Sequence, residues 1–332
     1  MAGSVRAPVV FVISSLNELA VVARKCLPAA NITSITPVQP GEISDQDETK
    51  VLQSAEVLFA DLPFISKYIY RAEKLKWAHS TSAGVDTIMS QIDIEKPPRV
   101  LLSQGGTAFT DLMAEYVLGY ILAKEKNMFG MYEDQKNKVW KPEEYKNPRL
   151  LSNLRLGILG AGQIGTRIGT FCKAVGMEVW GMTREEKNNP DLPLDVYKTT
   201  KDLPDILENC DYICSVLPTT PDTKDLLSGD ILKHCMEKKS VFINVGRGTV
   251  INEDSLITAL RNEWIGGAVL DVFNTEPLSV DSPLWSFPNV IITPHISGPC
   301  QTQLVVQTFV ENYKRFVGNE KLGGLVNWSG GY

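Results

Sequence analysis

The chain has 332 residues, of which 43% are hydrophobic and 22% are charged, and its formal net charge is −6 at pH 7. This composition is typical of a soluble globular protein, and the length predicts two domains. The negative charge argues against a nucleic-acid or anionic-membrane surface, and no apolar run is long enough to predict a membrane span.

The N-terminus, MAGSVRAPVVFVIS, has no long apolar region of the kind found in signal peptides, so we expect a cytoplasmic protein. The alternative is an organelle-targeting leader, because this stretch carries an arginine and no acidic residue.

Short apolar runs alternate with amphipathic stretches along the first part of the chain. PVVFVIS, ITSITPVQ, AEVLFA and LKWAHST are predicted strands, and LNELAVVARKCL is a predicted helix. DLMAEYVLGYILAKEKNM has apolar residues at helical spacing, and a second strand–helix series runs from Leu154 to about Ile296. A last helix is predicted in TQLVVQTFVENYKRFV. This alternation predicts an α/β protein with parallel sheets.

The stretch LRLGILGAGQIGTRIGTFCKAVGMEVWGMT predicts a strand, a glycine turn, a helix and a second strand. Gly160, Gly162 and Gly165 form the pattern G-x-G-x-x-G in that turn. The first glycine permits a tight turn, the second lets the backbone approach a pyrophosphate, and the third lets the helix pack on the strand. We therefore predict a dinucleotide site that also includes Ala161, Gln163 and Ile164; the alternative is an ordinary tight turn.

The residue at the end of the second strand distinguishes between the two nicotinamide coenzymes. An acidic residue there would bind the ribose 2′-hydroxyl of NAD, but this chain has Thr183 followed by Arg184. A hydroxyl and a guanidinium suit a 2′-phosphate, so we favour NADP(H). NAD(H) is the alternative, if Glu185 or Glu186 turns back towards the ribose.

Three histidines are candidates for acid–base chemistry, and their positions distinguish them. His234 lies at the polar end of a predicted helix, and His79 lies near a strand end where a structural role is expected. His295 follows the apolar run NVIITP, at the carboxyl end of a predicted strand, where ligands gather in α/β sheets. We therefore select His295 as the candidate catalytic histidine.

Two further strand ends carry residues that suit the same chemistry. Arg247 lies in a glycine-flanked turn after VFINV, while Asp271 ends the strand GGAVL and Glu276 lies in the loop beyond it. An arginine, a glutamate and a histidine that follow successive strands can converge on one crevice. The alternatives are that Arg247 is an ordinary surface cation and that Glu276 is a solvated acid of the loop.

The motifs GILGAGQIG, SVLPTTPDT, NVGRG, LDVFNTEP and SPLWSFPNVIITPHISG, in this order, resemble those of the D-2-hydroxyacid dehydrogenase family, and STSAGVD and MAEYVLGYIL also fit. Within the family, Thr183-Arg184 and the closing GGY are most similar to NADPH-dependent glyoxylate/hydroxypyruvate reductases. The resemblance implies that His295 protonates the carbonyl oxygen of a small 2-oxo acid and that Glu276 keeps the imidazole protonated. It implies that Arg247 binds the substrate carboxylate.

The resemblance also implies the remaining contacts of the site. Backbone N–H groups in the loop formed by Ser82, Ala83, Gly84 and Val85 would help to bind the substrate carboxylate. Asp271 would contact the nicotinamide side of the coenzyme. Further coenzyme contacts are expected from Leu217, Pro218, Thr223, Val245, Gly246, Gly298, Arg247 and His295.

The implied architecture has two α/β domains of Rossmann-like or flavodoxin-like form. The NAD(P)-binding domain, residues 104–298, would be inserted into a substrate domain formed by residues 1–103 and 299–332. The helix around residues 115–123, with the arm after it, would form the contact of a homodimer. No metal is implied, and the six cysteines, which include no CxxC pair, are expected to be free and mostly buried thiols.

Three other classes of protein are alternatives to a 2-oxo acid reductase. A formate dehydrogenase of the same fold would pair its histidine with glutamine, which disfavours it here because Glu276 is a glutamate. A phosphoglycerate dehydrogenase often has an added regulatory domain, for which the chain ending at Tyr332 leaves no room. A dinucleotide-sensing corepressor scaffold that is not an enzyme is the alternative from another class.

Overall fold

The structure is a computed structural model that describes residues 6–39, 41–93, 95–186 and 193–328, so the closing GGY lies outside the described residues. The strands are β1 (Val9–Ile13), β2 (Asn31–Ile35), β3 (Val57–Ala60), β4 (Trp77–Ser80), β5 (Leu101–Gln104), β6 (Arg155–Leu159), β7 (Glu178–Thr183), β8 (Val196–Thr199), β9 (Tyr212–Ser215), β10 (Val241–Asn244), β11 (Gly267–Leu270) and β12 (Val290–Ile292). The α-helices are α1 (Leu19–Cys26), α2 (Asp45–Ser54), α3 (Leu62–Tyr68), α4 (Asp86–Met89), α5 (Thr110–Glu125), α6 (Met128–Lys136), α7 (Pro142–Tyr145), α8 (Gln163–Ala174), α9 (Leu203–Asn209), α10 (Glu253–Arg261) and α11 (Thr302–Val317). Short 3₁₀ helices cover Gly106–Phe109, Leu151–Asn153, Thr200–Asp202, Ile231–Cys235, Gly248–Val250 and Pro283–Ser286.

The chain divides into two compact units, and the second is inserted in the sequence of the first. Unit 1 comprises residues 1–109 and 300–332, and unit 2 comprises residues 110–299. These units end close to the expected boundaries at 103/104 and 298/299, which stay predictions. Residues 104–109 stay with unit 1 because Gln104 ends a strand of its sheet, the Gln104 amide donates to the carbonyl of Gly324, and the Gly105 amide donates to the carbonyl of Ser82.

Unit 1 is built on a parallel sheet with the strand order β2-β1-β3-β4-β5. Strands β3 and β4 are buried along their whole length, as expected of parallel strands that are covered on both faces. Helix α11 returns to this unit from the far end of the sequence and stacks Phe309 on Phe59 at a centroid distance of 4.2 Å. The order is that of flavodoxin-like doubly wound folds.

Unit 2 is built on a seven-stranded parallel sheet with the order β12-β11-β10-β9-β6-β7-β8. The chain starts in the middle at β6, proceeds outwards to β8, and then returns to β9 on the other side. This order places a topological switch point between β6 and β9, where crevices for ligands form outside the carboxyl ends of the strands.

Local sequence signals explain where several helices begin. Ser44 caps α2 by accepting a hydrogen bond from the Asp47 amide, and Asn252 caps α10 by accepting one from the Ser255 amide. Acidic residues fill the first turn of both helices, where they complement the helix dipole. Within the described ranges, no helix combines the length and apolar character needed to cross a bilayer.

Candidate active site

The glycine turn lies at the switch point of unit 2, between β6 and α8. Gly160 has a φ of +102°, which a residue with a side chain rarely adopts. A Cβ at Gly165 would lie 2.2 Å from the carbonyl oxygen of Gly160, so only glycine permits this close approach of helix and turn. A Cβ at Gly162, by contrast, would meet no atom within 4 Å. The backbone of Gly162 is extended, a conformation that alanine also adopts, so neither space nor backbone requires glycine here.

These three environments match the requirements of a dinucleotide site. Gly162 is the N-cap of α8, and its helix start has no side-chain cap, so the first-turn N–H groups are directed at the space beside Gly162. A diphosphate would fill the space that a side chain at Gly162 would otherwise occupy. The structure therefore provides a cradle of the shape and polarity that this anion needs.

Two neighbouring turns approach the glycine turn closely. A Cβ at Gly160 would lie 3.2 Å from Cδ2 of Leu217, and a Cβ at Gly246 would lie 2.7 Å from the backbone nitrogen of Leu217. The turns after β6, β9 and β10 thus stack at one edge of the sheet. Leu217 is buried in this stack, and its contact with a coenzyme stays a prediction.

Thr183 and Arg184 end β7, the strand next to the glycine turn. The Thr183 hydroxyl donates to the carbonyl oxygen of Glu185 at 2.6 Å, so it would accept from a ligand or rotate before donating to one. Arg184 is exposed at this edge, and neither carboxylate of Glu185 or Glu186 is buried. The residues that follow, 187–192, lie outside the described part of the chain.

His295 and Glu276 are in direct contact. Nδ1 of the imidazole lies 2.8 Å from Oε2 of Glu276, and the other carboxylate oxygen accepts from the Phe273 amide at 2.9 Å. Because a carboxylate is an acceptor, Nδ1 carries the hydrogen in this pair. Nε2, on the opposite side of the ring, is then the nitrogen that can exchange a proton with a ligand. The side chain of His295 is about half exposed, at 55%, so a ligand can reach it.

Arg247 follows β10, the neighbour of β11, and its turn is fastened to the loop that carries Glu276. The side-chain amide of Asn244 donates to the carbonyl of Arg247 at 3.0 Å. A Cβ at Gly248 would lie 1.9 Å from the carbonyl carbon of Phe273, so the two loops touch backbone to backbone. Asn244 is not among the residues expected from the sequence, although an amide residue three positions before the glycine-flanked arginine was the available signal.

Asp271 is held by hydrogen bonds from the loop around His295. Its carboxylate is fully buried and accepts hydrogen bonds from the Thr293 hydroxyl at 2.5 Å and from the amides of Ile296 and Ser297, both at 2.8 Å. These contacts hold the loop around His295. The carboxylate thus supports the loop that carries His295, and contact of Asp271 with the nicotinamide side of a coenzyme stays a prediction.

Other predicted coenzyme residues form or support the same edge of unit 2. Thr223 closes its own turn by donating to the carbonyl of Pro218 at 2.6 Å and accepting from the Thr220 amide. Val245 is buried and Gly298 is partly exposed. Their backbones therefore shape the edge, and direct contact with a coenzyme stays a prediction for each of them.

The loop from Ser82 to Val85 follows β4 in unit 1. Its conformation is set by the Ser82 hydroxyl, which lies 2.9 Å from the Ser80 hydroxyl and 3.1 Å from the carbonyl of Gly84. Ala83 and Gly84 are partly exposed and Val85 is buried as the N-cap of α4. Carboxylate binding by this loop stays a prediction.

The other two histidines have surroundings of a different kind, His79 in unit 1 and His234 in unit 2. His79 is fully buried, with Nδ1 2.7 Å from the Ser103 hydroxyl and Nε2 3.1 Å from the Thr308 hydroxyl. Burial lowers the pKa of His79 to about 3, so it is neutral under ordinary conditions. His234 is partly exposed and pairs with Glu208 at 2.6 Å. Both placements agree with the roles expected from the sequence.

A parallel sheet of this order, with a glycine cradle at its switch point and a histidine–carboxylate pair at the same edge, defines a dinucleotide-binding domain equipped for proton transfer. Residues 118–297 match the family described as D-isomer specific 2-hydroxyacid dehydrogenase, NAD binding domain. The chain belongs to this family.

Similar proteins share most of the length of the chain. It is 29% identical over 264 residues to glyoxylate/hydroxypyruvate reductase A of Escherichia fergusonii, which covers 78% of this chain and 82% of that protein. A D-isomer specific 2-hydroxyacid dehydrogenase family protein from Aeromonas salmonicida is 33% identical, with a TM-score of 0.79 and coverage of 97% of this chain and 99% of that one. A D-isomer specific 2-hydroxyacid dehydrogenase from Xanthobacter autotrophicus Py2, solved with NADPH and MES, is 26% identical, with a TM-score of 0.84 and coverage of 98% and 100%.

Proposed function

We propose that the protein reduces small 2-oxo acids, such as glyoxylate or hydroxypyruvate, to 2-hydroxy acids with NADPH. The observation that carries the proposal is the contact between His295 and Glu276 at the carboxyl edge of the sheet that bears the glycine cradle. The relative from Escherichia fergusonii is named for this reaction, and the structure from Xanthobacter autotrophicus holds NADPH.

The coenzyme would supply the hydride, and residues of this chain would supply the rest of the chemistry. Nε2 of His295 donates its proton to the carbonyl oxygen of the substrate while the carbon receives the hydride. Glu276 holds the ring through Nδ1 and stabilises its protonated form by charge. Arg247 binds the substrate carboxylate with its guanidinium. One 2-oxo acid, one proton and one NADPH thus give one 2-hydroxy acid and one NADP⁺.

The preference for NADPH rests on Thr183 and Arg184. A guanidinium at the end of β7 would form charge-assisted hydrogen bonds to a 2′-phosphate, and the two carboxylates in the described part of this loop, Glu185 and Glu186, are exposed. The alternative, NAD(H), remains a direct outcome of the coenzyme comparison below.

We also propose that the protein forms a homodimer through α5, α6 and the arm that follows. Helix α6 buries none of its side chains within the chain. Phe129 is 50% exposed and Trp140 is 92% exposed, an unusual state for large apolar side chains that a second copy would cover. Analytical ultracentrifugation at micromolar concentration should show a dimer that Trp140→Ser weakens; a monomer throughout would contradict this part.

The reductase proposal is tested with a panel of 2-oxo acids, each with NADPH and with NADH, followed by the loss of reduced-coenzyme absorbance. We expect turnover of glyoxylate or hydroxypyruvate with NADPH. His295→Ala should abolish turnover and leave the Kd for NADPH nearly unchanged, while the control His234→Ala should keep full activity. Binding of NADPH without turnover of any 2-oxo acid would support the non-enzymatic sensor instead, and equal or better use of NADH would overturn the coenzyme assignment.

A further inference from the structure

The backbone of His295 has a conformation that needs external support. Its φ of +54° lies in the left-handed region, which is uncommon for a residue with a side chain. The support comes from Asp271: its carbonyl accepts from the His295 amide at 2.9 Å, and its carboxylate accepts from the amides of Ile296 and Ser297. One residue therefore determines the path of the chain on both sides of the imidazole.

The carboxylate of Asp271 is itself held by a chain of hydroxyl groups. Oγ1 of Thr293 lies 2.5 Å from Oδ1 of Asp271, and the Tyr116 hydroxyl lies 2.6 Å from the same Oγ1. Because a carboxylate only accepts hydrogen bonds, the Thr293 hydroxyl donates its hydrogen to Asp271. Tyr116 must then donate to Thr293. Burial raises the pKa of Tyr116, so the phenol keeps the proton that this chain of hydrogen bonds requires.

We propose that Tyr116 is a positioning residue for His295 and acts through Thr293 and Asp271. Tyr116 lies on α5, far from the histidine loop in sequence, so its hydrogen bond ties that loop to a long helix. Fixing Oγ1 of Thr293 fixes the carboxylate rotamer of Asp271, which in turn fixes the two amides after His295. The side chain of Tyr116 touches neither Glu276 nor the imidazole in this scheme. The proposal rests on the proposed function for its kinetic consequences.

Tyr116→Phe tests the proposal because it removes one hydroxyl and leaves the ring. Tyr212→Phe is the control: Tyr212 is buried and donates to a carboxylate oxygen, Oε1 of Glu125, at 2.5 Å, whereas Tyr116 is partly buried and bonds to a hydroxyl. Tyr212 begins β9 and so lies at the amino edge of the sheet, opposite the edge that carries His295. We expect Tyr116→Phe to lower kcat about three- to tenfold with little change in KM, and Tyr212→Phe to leave kcat unchanged.

Thr293 provides a second, independent comparison. Thr293→Ser keeps the hydroxyl and should retain activity near that of the unmodified protein, whereas Thr293→Val removes it and should lower kcat at least as much as Tyr116→Phe. In the double variant of Tyr116→Phe and Thr293→Val, the two losses should not add, because both break the same chain. If Tyr116→Phe does not fold, the comparison of Thr293→Ser with Thr293→Val decides. A lower kcat in Thr293→Val alone supports the proposal, and equal kcat values in both variants refute it.

Amide hydrogen exchange gives a readout that does not depend on activity. Tyr116→Phe should accelerate exchange at Ile296 and Ser297 about three- to tenfold, and Tyr212→Phe should not. Unchanged exchange and unchanged kcat in Tyr116→Phe, or equal effects of both tyrosine variants, would overturn the proposal. A protein without reductase activity whose exchange still responds to Tyr116→Phe alone would refute the proposed function and leave the positioning of His295 by Tyr116 standing.

Discussion

His295 and Glu276 are joined by a 2.8 Å contact between Nδ1 and Oε2, and the second oxygen of Glu276 is held by the amide of Phe273. The carboxylate therefore has one oxygen for orientation and one for the imidazole. This arrangement suits an imidazole that must be charged before it gives up a proton and neutral afterwards.

Glu276→Gln tests the charge in this pair while it preserves the shape of the side chain. The amide oxygen can still accept from Nδ1, but it no longer stabilises a positive ring. We expect kcat/KM for 2-oxo acid reduction to fall about a hundredfold. Initial rates of the variant and the unmodified protein measure this.

The pair of Glu208 and the partly exposed His234 offers the control for that experiment. Its contact of 2.6 Å is at least as short, and it lies on the same unit but outside the proposed site. Glu208→Gln should therefore leave kcat/KM unchanged. A loss that is equal in Glu208→Gln and Glu276→Gln would mean that the effect is not specific to the site.

Replacement by alanine is predicted to reduce coenzyme affinity at Gly162 and thermal stability at Gly165. Because a Cβ at Gly162 meets nothing within 4 Å, Gly162→Ala should keep its thermal midpoint but raise the Kd for NADPH about tenfold or more. Gly165→Ala places its Cβ 2.2 Å from a backbone oxygen and should lower the thermal midpoint. Calorimetric titration with NADPH and thermal unfolding of both variants separate the effects; full NADPH affinity in Gly162→Ala would refute the cradle.

The parallel sheets and the glycine turn were predictable from the sequence because they depend on local features. Buried parallel strands such as β9 and β10 are short uninterrupted apolar runs, and a positive φ at Gly160 requires glycine. The placement of Arg247, Glu276 and His295 at one edge followed from the order of the strands, because each residue follows the carboxyl end of a strand.

Contacts between distant parts of the chain were not predictable. The first boundary was placed at 103/104 because nothing local shows that the Gln104 amide binds the carbonyl of Gly324. The position of Asp271 at a strand end indicated the edge of the sheet correctly, but not which way its carboxylate faces. Its amide partners and the hydroxyl of Thr293 lie in another loop, and side-chain direction there depends on packing rather than on spacing.

Arg184→Ala tests the proposed coenzyme preference. Loss of charge-assisted hydrogen bonds to a 2′-phosphate should lower kcat/KM with NADPH about ten- to a hundredfold. The rate with NADH, which lacks that phosphate, should stay nearly constant and serves as an internal control. Arg167→Ala, which removes the same charge from the exposed ion pair with Asp111, should change neither rate. Equal losses with both coenzymes in Arg184→Ala would argue for a structural role.

The burial of His79 is expected to make the free energy of unfolding depend on pH. Its pKa is about 3 in the folded state because of burial, while an unfolded chain has a histidine pKa of about 6.5. Below pH 6.5 the unfolded state therefore binds a proton that the folded state does not, and the free energy of unfolding falls by about 1.4 kcal/mol for each pH unit down to the folded pKa.

Urea unfolding at about pH 7.5 and about pH 5 measures this contribution, which should be about 2 kcal/mol. His79→Gln should be less stable at both pH values, because Ser103 and Thr308 lose well-placed partners, but it should lack this part of the pH dependence. His234→Gln, which removes a partly exposed imidazole, should keep this pH dependence. A pH dependence that is the same in His79→Gln as in the unmodified protein would mean that other groups cause the acid sensitivity.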